Sequence, residues 1–318
     1  MNNFLKLVWN EQIKLYSKKS AWIMIAFIAM AALVGGLVNT FMDTDILKTE
    51  YGENWKEELQ TENVKLTAEM EQDEFASFSN PMIIEKNNYH LENNIKPKPY
   101  DAWEYVLENA MISSLLSLFT IIVAAGIIAN EFQWGTIKLL LIRPISRTKI
   151  LLAKYVSVLV FAATLLVSLL IFSWVIGALF FGVNGLSPNI VISTADGFAE
   201  SNVIKEILVS YGFKMVTLVM MATFAFMIST IFRSSSMAIG LAIFLMMAGS
   251  TMMSFVSRYE WSKYILFANT NLMQYFNGAQ PLVEGMTLTF SIIVLGVYFV
   301  VFHAAAWIAF TKRDVAGH

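Results

Sequence analysis

The chain is 318 residues long, 57% hydrophobic and 14% charged, with a formal net charge of −2 and a mean hydropathy of +0.58. That is too apolar for an ordinary soluble domain and is the composition of a polytopic membrane protein. Cysteine is absent, which excludes disulfides, thiolate metal sites and cysteine nucleophiles.

Residues 1–20 carry Lys6, Lys14, Lys18 and Lys19 and are amphipathic, so they do not read as a cleavable signal peptide. Phe4, Leu5, Val8, Gln12, Leu15 and Tyr16 share one helical face, while Lys6, Asn10, Lys14 and Lys18 fall largely opposite. This predicts an in-plane interfacial elbow helix with Trp9 at headgroup level, or else a basic flank that only fixes topology.

Six stretches then contain no Asp, Glu, Lys or Arg: Ala21–Met42, Asn109–Asn130, Tyr155–Ala195, Met215–Phe232, Ser234–Ser257 and Gly285–Thr311. A hydrocarbon core about 30 Å thick takes about 20 helical residues, so each predicts a membrane-spanning helix. The fold class expected is an all-α polytopic membrane protein with six spans. Spans without ionisable groups hold nothing to relay protons or coupling ions, which argues against a secondary transporter. With the N-terminus inside, 12 basic and three acidic residues face the cytoplasm, leaving 10 and 21 outside from the totals of 22 and 24. The basic inside loops place both termini in the cytoplasm of a bacterial plasma membrane protein.

Between the first two spans, residues 43–108 hold 16 acidic and six basic residues. Here an extracellular domain is expected, with one long helix over Glu53–Glu74 and looser connections punctuated by Asn80-Pro81 and Lys96-Pro97-Lys98-Pro99. It is a substrate gate, a docking site or a solvated cap. The third span ends at Gly182, and the stretch from Gly182 to Gly212 reads as an outside loop with an amphipathic patch at Val203–Leu208. A tight turn at Arg233–Ser236 makes spans four and five a hairpin. Segment 258–284 is aromatic enough to lie at or partly within the membrane boundary, the sixth span covers 285–311, and a short tail follows at 312–318.

The stretch after the second span, 131–147, is the most informative. Gly135 permits a turn, Thr136 can cap a helix over Thr136–Ile142, Pro144 disfavours helix at Arg143 and ends it, and Ser146 can cap the third span. The outcome is a short basic surface helix fixed to two spans, or an ordinary basic loop. The pattern Glu131, Gly135-Thr136, Leu139-Leu140, Arg143-Pro144, Arg147 and Lys154 resembles the signature region of type-2 ATP-binding-cassette transporter permeases, the bacitracin-resistance and sodium-efflux-like proteins of Gram-positive bacteria. The resemblance extends to the elbow helix, the six spans (those from second to fifth within 109–257) and an outside segment before the sixth; the large acidic insertion departs from the simplest members. It implies that Glu131, Gly135 and Thr136 shape a coupling helix, that Lys138, Arg143 and Arg147 face an ATPase subunit, and that Trp9 and Lys14 anchor the elbow helix beside it.

No G-x-x-x-x-G-K-[ST] motif is present, so ATP and Mg would be bound by the partner subunit, with no cofactor in this chain and no catalytic role. The expected partners are ATPase subunits, a second permease copy or a related permease, and membrane lipids, without nucleic acid. The expected function is export of an amphipathic or lipid-associated substrate such as a peptide antibiotic; the alternative is a non-transporting sensor or scaffold whose outside domain binds a ligand. His90 stands apart from other metal-ligating types, and His303 reads as neutral and bonded to a neighbouring helix.

Overall fold

The computed structural model describes residues 3–41, 50–141, 144–194, 197–232, 234–276 and 281–312. Six helices are long and apolar enough to cross a membrane: Lys19–Phe41, Ala102–Gln133, Arg147–Phe181, Val203–Ile231, Ser235–Val256 and Leu288–Thr311. They are preceded by α1 (Asn3–Tyr16), which turns at Ser17 into α2 (Lys19–Phe41). The protein is therefore all-α in its membrane-spanning part, with one small sheet outside it.

Residues 50–100 form α3 (Trp55–Met70) and α4 (Glu74–Glu92), an antiparallel pair with Leu59 and Leu66 buried between them. The looser connections expected after the first helix are instead a second helix, started by the Asp73 side chain accepting from the Phe75 amide. It continues through Pro81, whose missing N–H forfeits one helical bond, while Asn80 Nδ2 donates to the Leu66 carbonyl across the pair.

The second span also begins earlier than its charge boundary. Asp101 caps α5 (Ala102–Asn109) by accepting from the Trp103 and Glu104 amides, and a 3-10 turn, Ala110–Ile112, leads into α6 (Ser113–Gln133). The Ala102 amide donates to the Gly182 carbonyl at the end of α8 (Arg147–Phe181). Gly177 makes this approach possible: a Cβ there would lie 2.9 Å from Ala102 Cα. Without a hydrophobic drive between helices in lipid, such close backbone contact supplies much of the packing.

α8 ends at Gly182, as the sequence predicts. The segment beyond Gly182 is more than the expected outside loop. β1 (Asn189–Thr194) pairs antiparallel with β2 (Gly197–Asn202), with Asn189 opposite Asn202. Asn202 then caps α9 (Val203–Ile231), so the amphipathic patch at 203–208 is the first turns of the fourth span. α9 is the central helix, packing on α6, α8, α10 (Ser235–Val256) and α12 (Leu288–Thr311). Ser234 caps α10 by accepting from the Met237 amide, giving the expected hairpin. Segment 258–276 is a cap of short turns around α11 (Leu266–Asn269), tied to α12 by Asn269 Oδ1 accepting from Ser291 Oγ at 2.7 Å.

Two apolar clusters fill the bundle. One joins α6, α8, α9, α10 and α12 and the other joins α1, α2, α5, α6, α8 and α9, between the end of the bundle that bears α1 and Thr311 and the end opposite. We call these the basic and the acidic end.

A candidate coupling site at the basic end

α6 runs out at Gln133, where Gly135 takes a left-handed φ of 70°. No atom lies within 4 Å of a Cβ built there, so backbone conformation and not space selects glycine. α7 (Ile137–Leu141) comes next, starting one residue later than the helix expected over 136–142, whose last residue lies outside the described residues. Ile137 is 3% exposed in the core, whereas Lys138 and Leu139 face outward. Thr136 does not turn its hydroxyl toward the new helix; it donates back to the Glu131 carbonyl at 3.4 Å. Pro144 is exposed in the following bend, and Ser146 caps α8 by accepting from the Lys149 amide. A one-turn helix thus follows the Gly135 turn, with Ile137 holding it to the core.

Where α6 ends and α8 begins lies a cluster of four charges. Lys154, 1% exposed, donates from Nζ to Glu131 Oε1 at 2.6 Å and to Glu11 Oε2 at 2.8 Å. Lys14 closes the set on Glu11 Oε1 at 2.9 Å and Glu131 Oε1 at 3.4 Å. Burial opposes the Glu11 carboxylate, but Lys154 and Lys14 outweigh it and hold its pKa below the usual value. Burial likewise opposes the Lys14 ammonium, and Glu11 and Glu131 reverse that and raise it. Charges this far from water persist only when paired, and removing one partner costs about 3–5 kcal/mol. The cluster locks three elements together: α1, the end of α6 and the start of α8. Gln12 Nε2 donating to the Ser157 carbonyl at 3.0 Å and Tyr16 OH donating to Thr164 Oγ1 at 2.8 Å extend the lock along α8.

The other helices join the same belt. Gln133 Oε1 accepts from the Ser235 amide at 3.2 Å, linking α6 to α10. Arg147 Nη1 donates to the Thr311 carbonyl at 2.9 Å and Trp307 Nε1 to Thr148 Oγ1 at 3.0 Å, linking α8 to α12.

The structure distributes the sequence candidates unevenly. Glu131 and Lys14 are in the cluster, and Gly135 and Pro144 flank α7. Lys138 is exposed beside it, and Trp9 is 64% exposed on the open face of α1 with Leu5. Arg147 is turned toward α12. Arg143 lies outside the described residues. Glu11 and Lys154, which complete the cluster, escaped as site residues. Their signal was available: Lys154 abuts a charge-free stretch, and Glu11 follows the apolar α1 face one turn after Val8. Elsewhere, no group of three metal-ligating side chains occurs among the described residues. His303 Nδ1 pairs with the Phe299 carbonyl of its own helix, not of a neighbouring one as expected, and its ring packs edge-on to Tyr155.

Six apolar spanning helices with a polar belt at one end define a multi-pass membrane protein. The chain belongs to the family described as a protein of unknown function, DUF2705, which matches residues 75–316. It is similar to the uncharacterized protein YhcI of Bacillus subtilis, 42% identical over 98% of this chain and 99% of that one. It is also similar to the uncharacterized membrane protein YdbK of the same organism, 33% identical over 66% of this chain and 82% of that one.

Proposed function

We propose that this chain is the membrane subunit of an ATP-driven exporter, with the basic end and both termini in the cytoplasm and ATP and Mg bound by a separate subunit. The observation that carries this reading is α7: a short helix with Lys138 and Leu139 facing outward, placed between the ends of α6 and α8 that a charge cluster locks to each other and to α1. Force applied at Lys138 and Leu139 would reach α1, α6 and α8 together. The charge asymmetry of the loops supports the orientation. The spans offer apolar and aromatic walls, so the substrate proposed is amphipathic or lipid-associated, a peptide antibiotic being one such molecule.

The test is affinity purification of the chain from its native membrane in mild detergent. A stoichiometric partner bearing a Walker motif is the expected result. Recovery of the chain alone, or with a kinase, overturns the reading. A second reading, an outside-facing sensor, draws on a cavity of about 340 Å³ at the acidic end, walled by α4, residues 95–100 and β1. It predicts a ligand response abolished by filling that cavity.

A further inference from the structure

A second cavity, of about 350 Å³, opens at the basic end between α1, α2, α6 and α10. Its walls change character along its length. At one end stand Lys14, Lys18, Ser17 and Glu131; at the other, Met24, Val123 and Ile239. The change coincides with the point where the charge-free stretches begin, since Ala21 and Asn130 both line it. The polar end is therefore at headgroup depth and the apolar end at acyl-chain depth.

Two polar groups there have unmet capacity. Glu131 is 8% exposed, and while its Oε1 receives both lysines, its Oε2 has no hydrogen-bond partner among the described residues. An ionised oxygen buried in this way seeks an N–H or O–H donor. Across the cavity, Lys18 Nζ stands 5.3 Å above the Trp134 ring, a cation that an anionic group can approach. A ligand that fits must bring an anion and a donor joined by a short link, with a hydrocarbon tail beneath.

We infer that this cavity binds one phospholipid with an aminoethyl headgroup, its phosphate toward Lys18 and Lys14, its ammonium on Glu131 Oε2 and one acyl chain along Met24, Val123 and Ile239. Choline headgroups carry the same charges but have three methyl groups in place of the N–H donors, so they leave Oε2 unsatisfied. This assignment does not depend on an ATPase partner.

The experiment is native mass spectrometry of the full-length protein, stripped of lipid in detergent and titrated with dioleoyl-phosphatidylethanolamine or dioleoyl-phosphatidylcholine. One saturable ethanolamine lipid per chain is expected, bound about tenfold more tightly than the choline lipid, the factor that one charge-assisted hydrogen bond carries. Gly126→Leu pushes a side chain into the cavity, where its Cβ displaces only the flexible Asn130 amide. It should abolish the preference, and Lys18→Gln, on the exposed turn before α2, should weaken binding of both lipids. Equal binding of the two lipids, or a preference that survives Gly126→Leu, overturns the assignment. Glycerophosphoethanolamine binding as tightly as the intact lipid would overturn it too, since the site would then take a soluble headgroup.

Discussion

Replacing Lys154 by Met tests the charge cluster most directly. The thioether fills nearly the same volume but leaves Glu11 and Glu131 facing each other in a site where the lysine was 1% exposed. Breaking a buried pair costs about 3–5 kcal/mol. Unfolding entropy of about 2.1 cal/mol/K per residue over the 318 residues amounts to about 0.7 kcal/mol per degree, so Tm should fall by about 4–7 °C. Thermal unfolding of the purified protein in detergent, followed by size-exclusion fluorescence, measures this. The pH dependence gives a second readout of opposite sign. In the wild type the Glu11 pKa is lowered, so its contribution is present above the unfolded value, near 4.5, and is lost as pH falls through the folded one. In the variant Glu11 loses Lys154 and keeps its burial beside a second carboxyl group, its folded pKa rises, and Tm should increase as pH falls from 8 toward 5. The triple variant Lys154→Met, Glu11→Gln, Glu131→Gln removes the buried charge altogether and should recover most of the loss, leaving only the half-exposed Lys14. An unchanged Tm in the single variant, or a triple variant no better than the single, refutes the reasoning.

Gly135→Val forces a β-branched residue to a φ of 70°; on the exporter reading it should separate ATPase activity from transport in the assembled complex, with the protein still in the membrane, while Gly135→Asn, which tolerates that region, should retain most coupling. Gly177→Leu places side-chain atoms where Ala102 Cα already lies 2.9 Å from a Cβ and should lower Tm by several degrees, as read by the same unfolding assay. His90 is held neutral by burial, which lowers its pKa. Its stabilising contribution should be complete above the ordinary value of 6.5 and be lost as pH falls through the depressed one, seen as faster amide exchange in α4 that His90→Asn makes independent of pH.

The six spans were legible because apolar length is a one-dimensional property. Their ends were not. Ala102–Glu108, Arg147–Lys154 and Val203–Lys214 all belong to spanning helices yet carry charges, because a charge boundary marks where lipid ends and not where backbone hydrogen bonding ends. The hairpin Asn189–Asn202 was hidden within a segment read only for polarity, although Asp196-Gly197 is a turn signal between two short strand-forming runs. α4 was obscured by Pro81, whose cost the packing against α3 offsets. At the site, the turn at Gly135 and the cap at Ser146 arise from local chemistry and were readable. The meeting of Glu11, Lys14, Glu131 and Lys154 was not, since it depends on how three separate helices converge, and charge counting treats those four residues as loop decoration.

α8 has consequences beyond the site it helps to form. Its 35 residues extend about 52 Å, well past a hydrocarbon core of about 30 Å, and Gly177 is the sole glycine in a run without proline. At one tip it holds the lysine of the charge cluster; at the other, through the Gly182 carbonyl, it holds the start of α5. A helix of that length, packed along its course on α1, α2, α5 and α9, would pass a tilt imposed at one tip on to the other. On the exporter reading, this helix is the lever that would join the two faces of the membrane.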